Sequence, residues 1–173
     1  MLTILMSLIS FITGFYNLQF TDTDNNTISM TNFQHRKVLL VNIATESPRA
    51  TQLAELKQLQ EQFADSLIVI AFPSNSFGNE PRSNSEIKQF CQSTYNTNFL
   101  LAAKDGVAGT TTQAVYQWLA NESANGQLSL SISGDFQKVL ISEQGELVGF
   151  FSPKISPLDI SVINAIRTDY RSE

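Results

Sequence analysis

Covalent and acid–base chemistry falls mostly to cysteine, histidine and activated serine, and this chain offers few of them. It has one cysteine, Cys91, and one histidine, His35. One cysteine makes no intrachain disulfide, no CxxC pair and no structural zinc site. One histidine leaves little room for a histidine metal site or a His–carboxylate relay. Ser47, followed by Pro48, is the serine that stands out. As a nucleophile it needs a base, and the only imidazole lies in the polar segment Gln34-His35-Arg36-Lys37, ahead of a strand. No G-x-S-x-G elbow surrounds Ser47. The plainer reading is a helix N-cap, because a serine oxygen accepts from free N–H groups and proline suits the first helical position. Cys91 is spaced helically from Ile87 and reads as a small buried hydrophobe rather than a reactive thiol. Trp118 beside Leu119 reads as core, and His35 as a solvated surface residue. Arg49 and Arg82 flank Ser47 and the polar stretch 74–79 in sequence and read as surface arginines.

These residues need elements to position them, and hydrophobic periodicity supplies the outline. Residues 15–31 alternate around Asp22, Asp24, Asn25 and Asn26, which predicts a short hairpin. The run KVLLVNIA, from Lys37 to Ala44, predicts a strand buried on both faces. A helix is expected from Ser47-Pro48, carrying Leu53, Leu56, Leu59 and Phe63 on one stripe. LIVIAF, from Leu67 to Phe72, predicts a second buried strand, parallel to the first. A polar loop over 73–85 precedes a helix with Ile87, Phe90 and Cys91 on one face. A loop over 105–112 precedes a short helix at Val115, Trp118 and Leu119. Val139–Ser142 and Leu147–Phe151 flank Glu143-Gln144-Gly145 as an antiparallel hairpin. Ser156-Pro157-Leu158-Asp159 then reads as the start of a terminal helix with Ile160, Ile163 and Ile166.

The order β-α-β, helix, β-hairpin, helix predicts an α/β thioredoxin-like fold: a central mixed sheet flanked by helices, with an N-terminal β-hairpin. A length of 173 residues with 42% hydrophobic side chains fits one domain with one core. Eleven basic against sixteen acidic side chains give a net charge of −5 and no basic footprint for nucleic acid. Residues 1–14 form an uncharged apolar arm, too short for a transmembrane segment and without the basic start of an export signal. The expected organisation is the arm over 1–14 and the domain over 15–173. The arm is expected to pack on the domain or on a second copy. The compartment is expected to be cytoplasmic, with export as the alternative if 1–14 belong to a signal.

From Phe15 onward the chain resembles the glutathione peroxidase family. Phe15-Tyr16-Asn17-Leu18 looks like its opening segment. Val41-Asn42-Ile43-Ala44-Thr45-Glu46-Ser47 is similar to V-N-V-A-S-x-C. Phe72-Pro73-Ser74-Asn75-Ser76-Phe77-Gly78 is similar to F-P-C-N-Q-F-G. Glu80-Pro81, Ser83-Asn84, Glu86-Ile87 and Phe90-Cys91 follow E-P-G-S-N-x-E-I-x-x-F-C. Tyr116-Gln117-Trp118-Leu119 looks like L-Y-x-W-L, and Gly134 to Leu140 is similar to W-N-F-x-K-F-L. Gly145, Val148-Gly149, Phe151, Pro153 and Pro157 fit the closing segment.

The resemblance implies a cysteine or selenocysteine that attacks a peroxide oxygen, with glutathione or thioredoxin reducing the resulting acid. It also implies that Gln, Trp and Asn side chains hold the anion. Here Ser47 stands at the peroxidatic position, Ser76 at the Gln position, Gly134 at the Trp position and Asp135 at the Asn position. Cys91 stands where thioredoxin-dependent members carry a resolving cysteine. A serine hydroxyl has no state equivalent to a sulfenic acid, and Asp135 adds negative charge where an anion has to develop. The expected function is therefore that of an inactive family member serving as a binding or interaction module. Its expected partner is a small thiol or peptide at the old pocket, and it needs no cofactor. Reduction of hydrogen peroxide or lipid hydroperoxides with glutathione or thioredoxin, in the response to oxidative stress, is the first alternative. A structural subunit that forms a homo-oligomer through the arm is the second.

Overall fold

A computed structural model describes residues 14–110 and 112–170. The arm expected over 1–14 therefore lies, apart from Gly14, outside the described residues.

The Lys37–Ile43 run forms a strand in which every residue is buried, because both faces of the sheet are covered. Leu39, Val41 and Ile43 face one apolar layer with Leu53, Leu56 and Leu59; Val38 and Leu40 face another with Phe15, Trp118 and Leu119. In chain order the strands are β1 (Gln19–Thr21), β2 (Thr27–Ser29), β3 (Lys37–Ile43), β4 (Leu67–Pro73), β5 (Leu100–Leu101), β6 (Lys138–Ile141) and β7 (Leu147–Phe151). The helices are α1 (Gln52–Gln62), α2 (Asn84–Tyr95), α3 (Ala114–Ala120), α4 (Glu122–Asn125) and α5 (Ile160–Arg167). β1 and β2 form the expected hairpin, and the main sheet runs β5-β4-β3-β6-β7. β3 pairs in parallel with β4, and β4 with β5, while β6 and β7 are antiparallel, so the sheet is mixed.

Leu53, Leu56 and Leu59 are fully buried on α1, each contributing roughly 1.5–3 kcal/mol of transfer free energy. On α2, Ser83 and Glu86 close a capping box: the Glu86 carboxylate accepts from the Ser83 N–H at 2.8 Å. The β6–β7 turn requires glycine. Gly145 has φ +85°, and a Cβ there would lie 3.1 Å from the Tyr16 ring and 3.3 Å from the Phe15 Cβ. Tyr16 seals that turn by donating its hydroxyl to the Glu143 carbonyl at 2.8 Å. The β7 edge is engaged by Gln127: its Nε2 donates to the Leu147 carbonyl (3.1 Å) and its Oε1 accepts the Leu147 N–H (2.7 Å).

Three local expectations change. The first helix begins at Gln52, not at Ser47-Pro48, and Thr51 at its N-cap makes no side-chain capping bond. Successive i→i+3 backbone bonds, Ala50 to Ser47, Gln52 to Arg49 and Ala54 to Thr51, carry the chain through tight turns before α-helical pairing starts. The last helix begins at Ile160, capped by Asp159, whose carboxylate accepts from the Ser161 N–H; Ser156 instead closes a turn onto the Leu158 N–H. The edge strand β5 is an addition: two residues carry too little periodicity to be seen.

Candidate functional site

Parallel strands bring their carboxyl ends to one side of a sheet, and ligands of open α/β folds bind there. The turn after β3 carries Ser47, and the loop after β4 carries Ser76. β6 is antiparallel to β3, with Lys138 opposite Val41, so the segment leading into β6 delivers Gly134 and Asp135 to the same end. The topology therefore assembles the three segments that the sequence singled out.

Asn79 joins two of them. Its carbonyl accepts the Glu46 N–H (3.1 Å), and its Nδ2 donates to Asp135 Oδ2 (2.6 Å). Asn42, near the end of β3, holds the Asp135 segment from a second side: its Nδ2 donates to the Gly134 carbonyl (2.9 Å), and its own backbone carbonyl accepts the Phe136 N–H (2.6 Å). Ser47 is 5% exposed, and its Oγ accepts the Arg49 N–H at 3.3 Å, a turn closed on the following residues. Gly134 has the Pro153 ring beside it, 3.5 Å from where a Cβ would stand.

Ser76 belongs to a different neighbourhood. Its Oγ accepts from Ser74 Oγ (2.9 Å) and from the Val107 and Ala108 N–H groups (3.1 and 3.4 Å). It lines an open cavity of ≈ 350 Å³ with Ser74, Asn75, Lys104, Asp105 and Gly106. Among the described residues no hydrogen bond joins any two of Ser47, Ser76, Gly134 and Asp135.

The region is rich in acceptors. Asn42 Oδ1, Gln52 Oε1 and Asp135 Oδ1 are buried without a protein donor. Gln52 spends its own N–H on the Pro153 carbonyl, and Asp135 is 3% exposed. Stabilising a thiolate or an oxyanion takes donors aimed at it. Buried carbonyl and carboxylate oxygens do the opposite and disfavour an anion beside them.

A carboxylate anchors the turn from below. Glu80 is fully buried and accepts the Thr45 N–H (2.7 Å), the Thr45 hydroxyl (2.8 Å) and the Arg82 N–H (3.2 Å). Arg82 donates to Thr45 Oγ1 (2.6 Å), pairs with Glu46 (3.1 Å) and lies over the Phe90 ring. That partly exposed guanidinium is thereby engaged by three neighbours in the chain. Cys91 lies on α2 with no exposed surface, packed in the layer of Ile87 and Phe99. Burial first, and the Glu80 charge second, push its thiol up to about 12. His35 is exposed with φ +70° on the approach to β3, on the far side of that strand from Ser47. Trp118 packs on Phe15, with ring centroids 5.5 Å apart. Among the described residues no group of three or more His, Cys, Asp or Glu is placed to hold a metal.

Asn42, Asn79, Glu80 and Lys138 contribute to the site although none is a candidate by residue type alone. Asn42 carried a signal: a polar residue inside an otherwise apolar run is a buried amide in need of partners. Lys138 carried the same signal at the head of its strand.

Comparison with known proteins points one way. A family model described as glutathione peroxidase matches residues 15–120. The chain is similar to the glutathione peroxidase-like peroxiredoxin gpx1 of Schizosaccharomyces pombe, 37% identical over 83% of this chain and 91% of that protein. It is also similar to a glutathione peroxidase of Lactococcus lactis, 34% identical over 83% of this chain and 92% of that protein. Among solved structures, the crystal structure of Trgpx in apo form superposes with a TM-score of 0.68 at 25% identity, covering 90% of this chain and 97% of that one. No helix among the described residues is long and apolar enough to cross a membrane.

Proposed function

Because this chain belongs to the glutathione peroxidase family, we propose that it is a member in which the peroxide-reducing cycle is lost and the fold serves binding. The observation that carries this reading is Ser47. In the family cycle a thiolate attacks a peroxide oxygen, the O–O bond breaks with release of water or an alcohol, and sulfur keeps the second oxygen as a sulfenic acid. The Ser47 oxygen has no such oxidised state, so a thiol reductant finds nothing to reduce. The surroundings support the same reading, because the Asp135 carboxylate and the unpaired oxygens of Asn42 and Gln52 oppose a developing anion. Cys91 does not replace the lost sulfur. With its thiol at about 12, on the order of one molecule in 10⁵ is thiolate at neutral pH.

The binding role rests on the polar cavity beside Ser76, which suits a small polar ligand such as a thiol peptide. The cytoplasm is the proposed compartment; fractionation of the full chain tests that assignment. The decisive experiment is a peroxidase assay of the purified protein with hydrogen peroxide and a lipid hydroperoxide, each with glutathione and with thioredoxin. The expected result is no turnover above buffer, and steady turnover with either reductant overturns the proposal.

The second reading, retained peroxidase activity, is favoured by the names of the relatives and by the extent of the family match. It requires a sulfur nucleophile, and the chain has one. Turnover that disappears in Cys91→Ser supports this reading.

A further inference from the structure

The segment Gly134–Phe136 carries two of the four candidate positions, and its backbone is strained. Phe136 has φ +67°, a conformation that a bulky residue adopts only when its surroundings impose it. Two groups impose it here. The Asn42 carbonyl takes the Phe136 N–H (2.6 Å), and Lys138 Nζ takes the Phe136 carbonyl (2.7 Å). The same ammonium donates to the Ile155 carbonyl (2.6 Å), in the loop that puts Pro153 beside Gly134.

Lys138 is fully buried, and among the described residues no carboxylate lies within 4.0 Å of its Nζ. The charged groups that face it are Glu55 on α1 and Arg49 in the turn before α1, and they act on it in opposite senses. The Glu55 carboxylate is itself engaged by the Ser156 hydroxyl. A core position asking only for bulk is filled at lower cost by an apolar side chain, since burying an ammonium without a carboxylate is expensive. What the amine supplies, and a methionine does not, is two donors aimed at two carbonyls on two separate segments.

We propose that Lys138 is the positioning residue of this site: it clamps the left-handed turn at Phe136 to the loop at Ile155 and so fixes where Gly134 and Asp135 stand. The inference does not depend on whether the peroxidase cycle is lost, since it concerns the placement of these residues and not their chemistry. Its cation is also sensitive to pH. Burial lowers the amine to about 8, with Glu55 opposing that shift and Arg49 adding to it.

Nuclear magnetic resonance of the full chain, with ¹³C-labelled lysine and ¹⁵N amides, tests the clamp. In the wild type, the Lys138 Cε signal is expected to titrate with a midpoint near 8, and the Gly134, Asp135 and Phe136 amides are expected to shift with the same midpoint. Lys138→Met is expected to displace those three amides and abolish their titration while leaving the Trp118 and Leu119 amides in place. Lys138→Arg is expected to restore the wild-type positions near neutral pH without the titration. The proposal is overturned if Lys138 titrates in the ordinary lysine range, if the three amides ignore its titration, or if Lys138→Met leaves them where they were. If Lys138→Met does not fold, the wild-type titration decides alone.

Discussion

Replacing Glu80 by glutamine removes one charge and leaves the shape unchanged, and the consequence can be worked from its partners. Three donors converge on two carboxylate oxygens: the Thr45 N–H on Oε2, and the Thr45 hydroxyl and Arg82 N–H on Oε1. A glutamine offers one oxygen and one NH₂. With its oxygen in the Oε1 place, the NH₂ meets the Thr45 N–H donor to donor; turned over, it meets the other two. At least one donor is stranded in a site without solvent. A hydrogen bond to a charged group contributes about 1.5–3 kcal/mol, and a stranded buried donor costs about 1–3 kcal/mol. We expect Glu80→Gln to lose roughly 2–4 kcal/mol. For a chain of this length that is a fall in Tm of about 5–15 °C. Urea unfolding followed by circular dichroism measures it. Glu46→Gln is the control, because the Glu46–Arg82 pair has a carboxylate side chain 53% exposed and is expected to be worth under about 1 kcal/mol. If Glu80→Gln falls within 0.5 kcal/mol of the control, estimated on the scale of ordinary surface changes, the idea that a buried charge anchors the turn before α1 is wrong.

Other expectations follow from the same geometry. Ser47→Cys alone is expected to give at most feeble peroxidase activity, since Ser76, Gly134 and Asp135 remain; robust turnover in the coupled assay contradicts the proposed loss of function. Cys91 is expected to ignore a thiol reagent in the native protein at pH 7.5 and to react fully once unfolded, as read by absorbance, because it is buried and its thiol is pushed up to about 12. Gly145→Ala is expected to cost about 1–3 kcal/mol, measured by chemical denaturation, because it adds a Cβ at φ +85° into the Tyr16 ring. Lys138 sets a pH dependence of known sign. Its folded value, about 8, lies below the unfolded 10.5, so between them the unfolded chain binds more protons. Stability relative to Lys138→Met is expected to rise as pH climbs from about 8 to 10.5, on the order of 3 kcal/mol in all.

Long elements were legible in the sequence because their burial is repetitive. KVLLVNIA and LIVIAF each present apolar side chains to both faces, and β3 and β4 follow them closely. The start of α1 was misread because Ser-Pro is a local signal that a series of i→i+3 turns satisfies equally well. β5 was invisible because its existence depends on pairing with β4 and not on its own two residues. At the site, the positions of Ser47, Ser76, Gly134 and Asp135 came from spaced motifs, and the topology delivers their segments to one end of the sheet. What those residues touch was not legible. That Ser76 would turn to the 107–108 backbone, that Asn79 would reach Asp135, and that Lys138 would span two loops are all long-range contacts, separated by 31, 56 and 17 residues.

The amide of Gln127 has a bearing on how this molecule meets others of its kind. A sheet edge recruits a neighbouring chain by offering it a free N–H and C=O, and the apolar β7, with Phe150 45% exposed, is otherwise well suited to that. A primary amide carries a donor and an acceptor side by side and therefore satisfies both groups of one residue at once. At Leu147 it has done so. A strand arriving from a second molecule finds that rung already occupied and must evict a side chain before it can extend the ladder. The sheet is terminated there by occupancy and not by charge or proline.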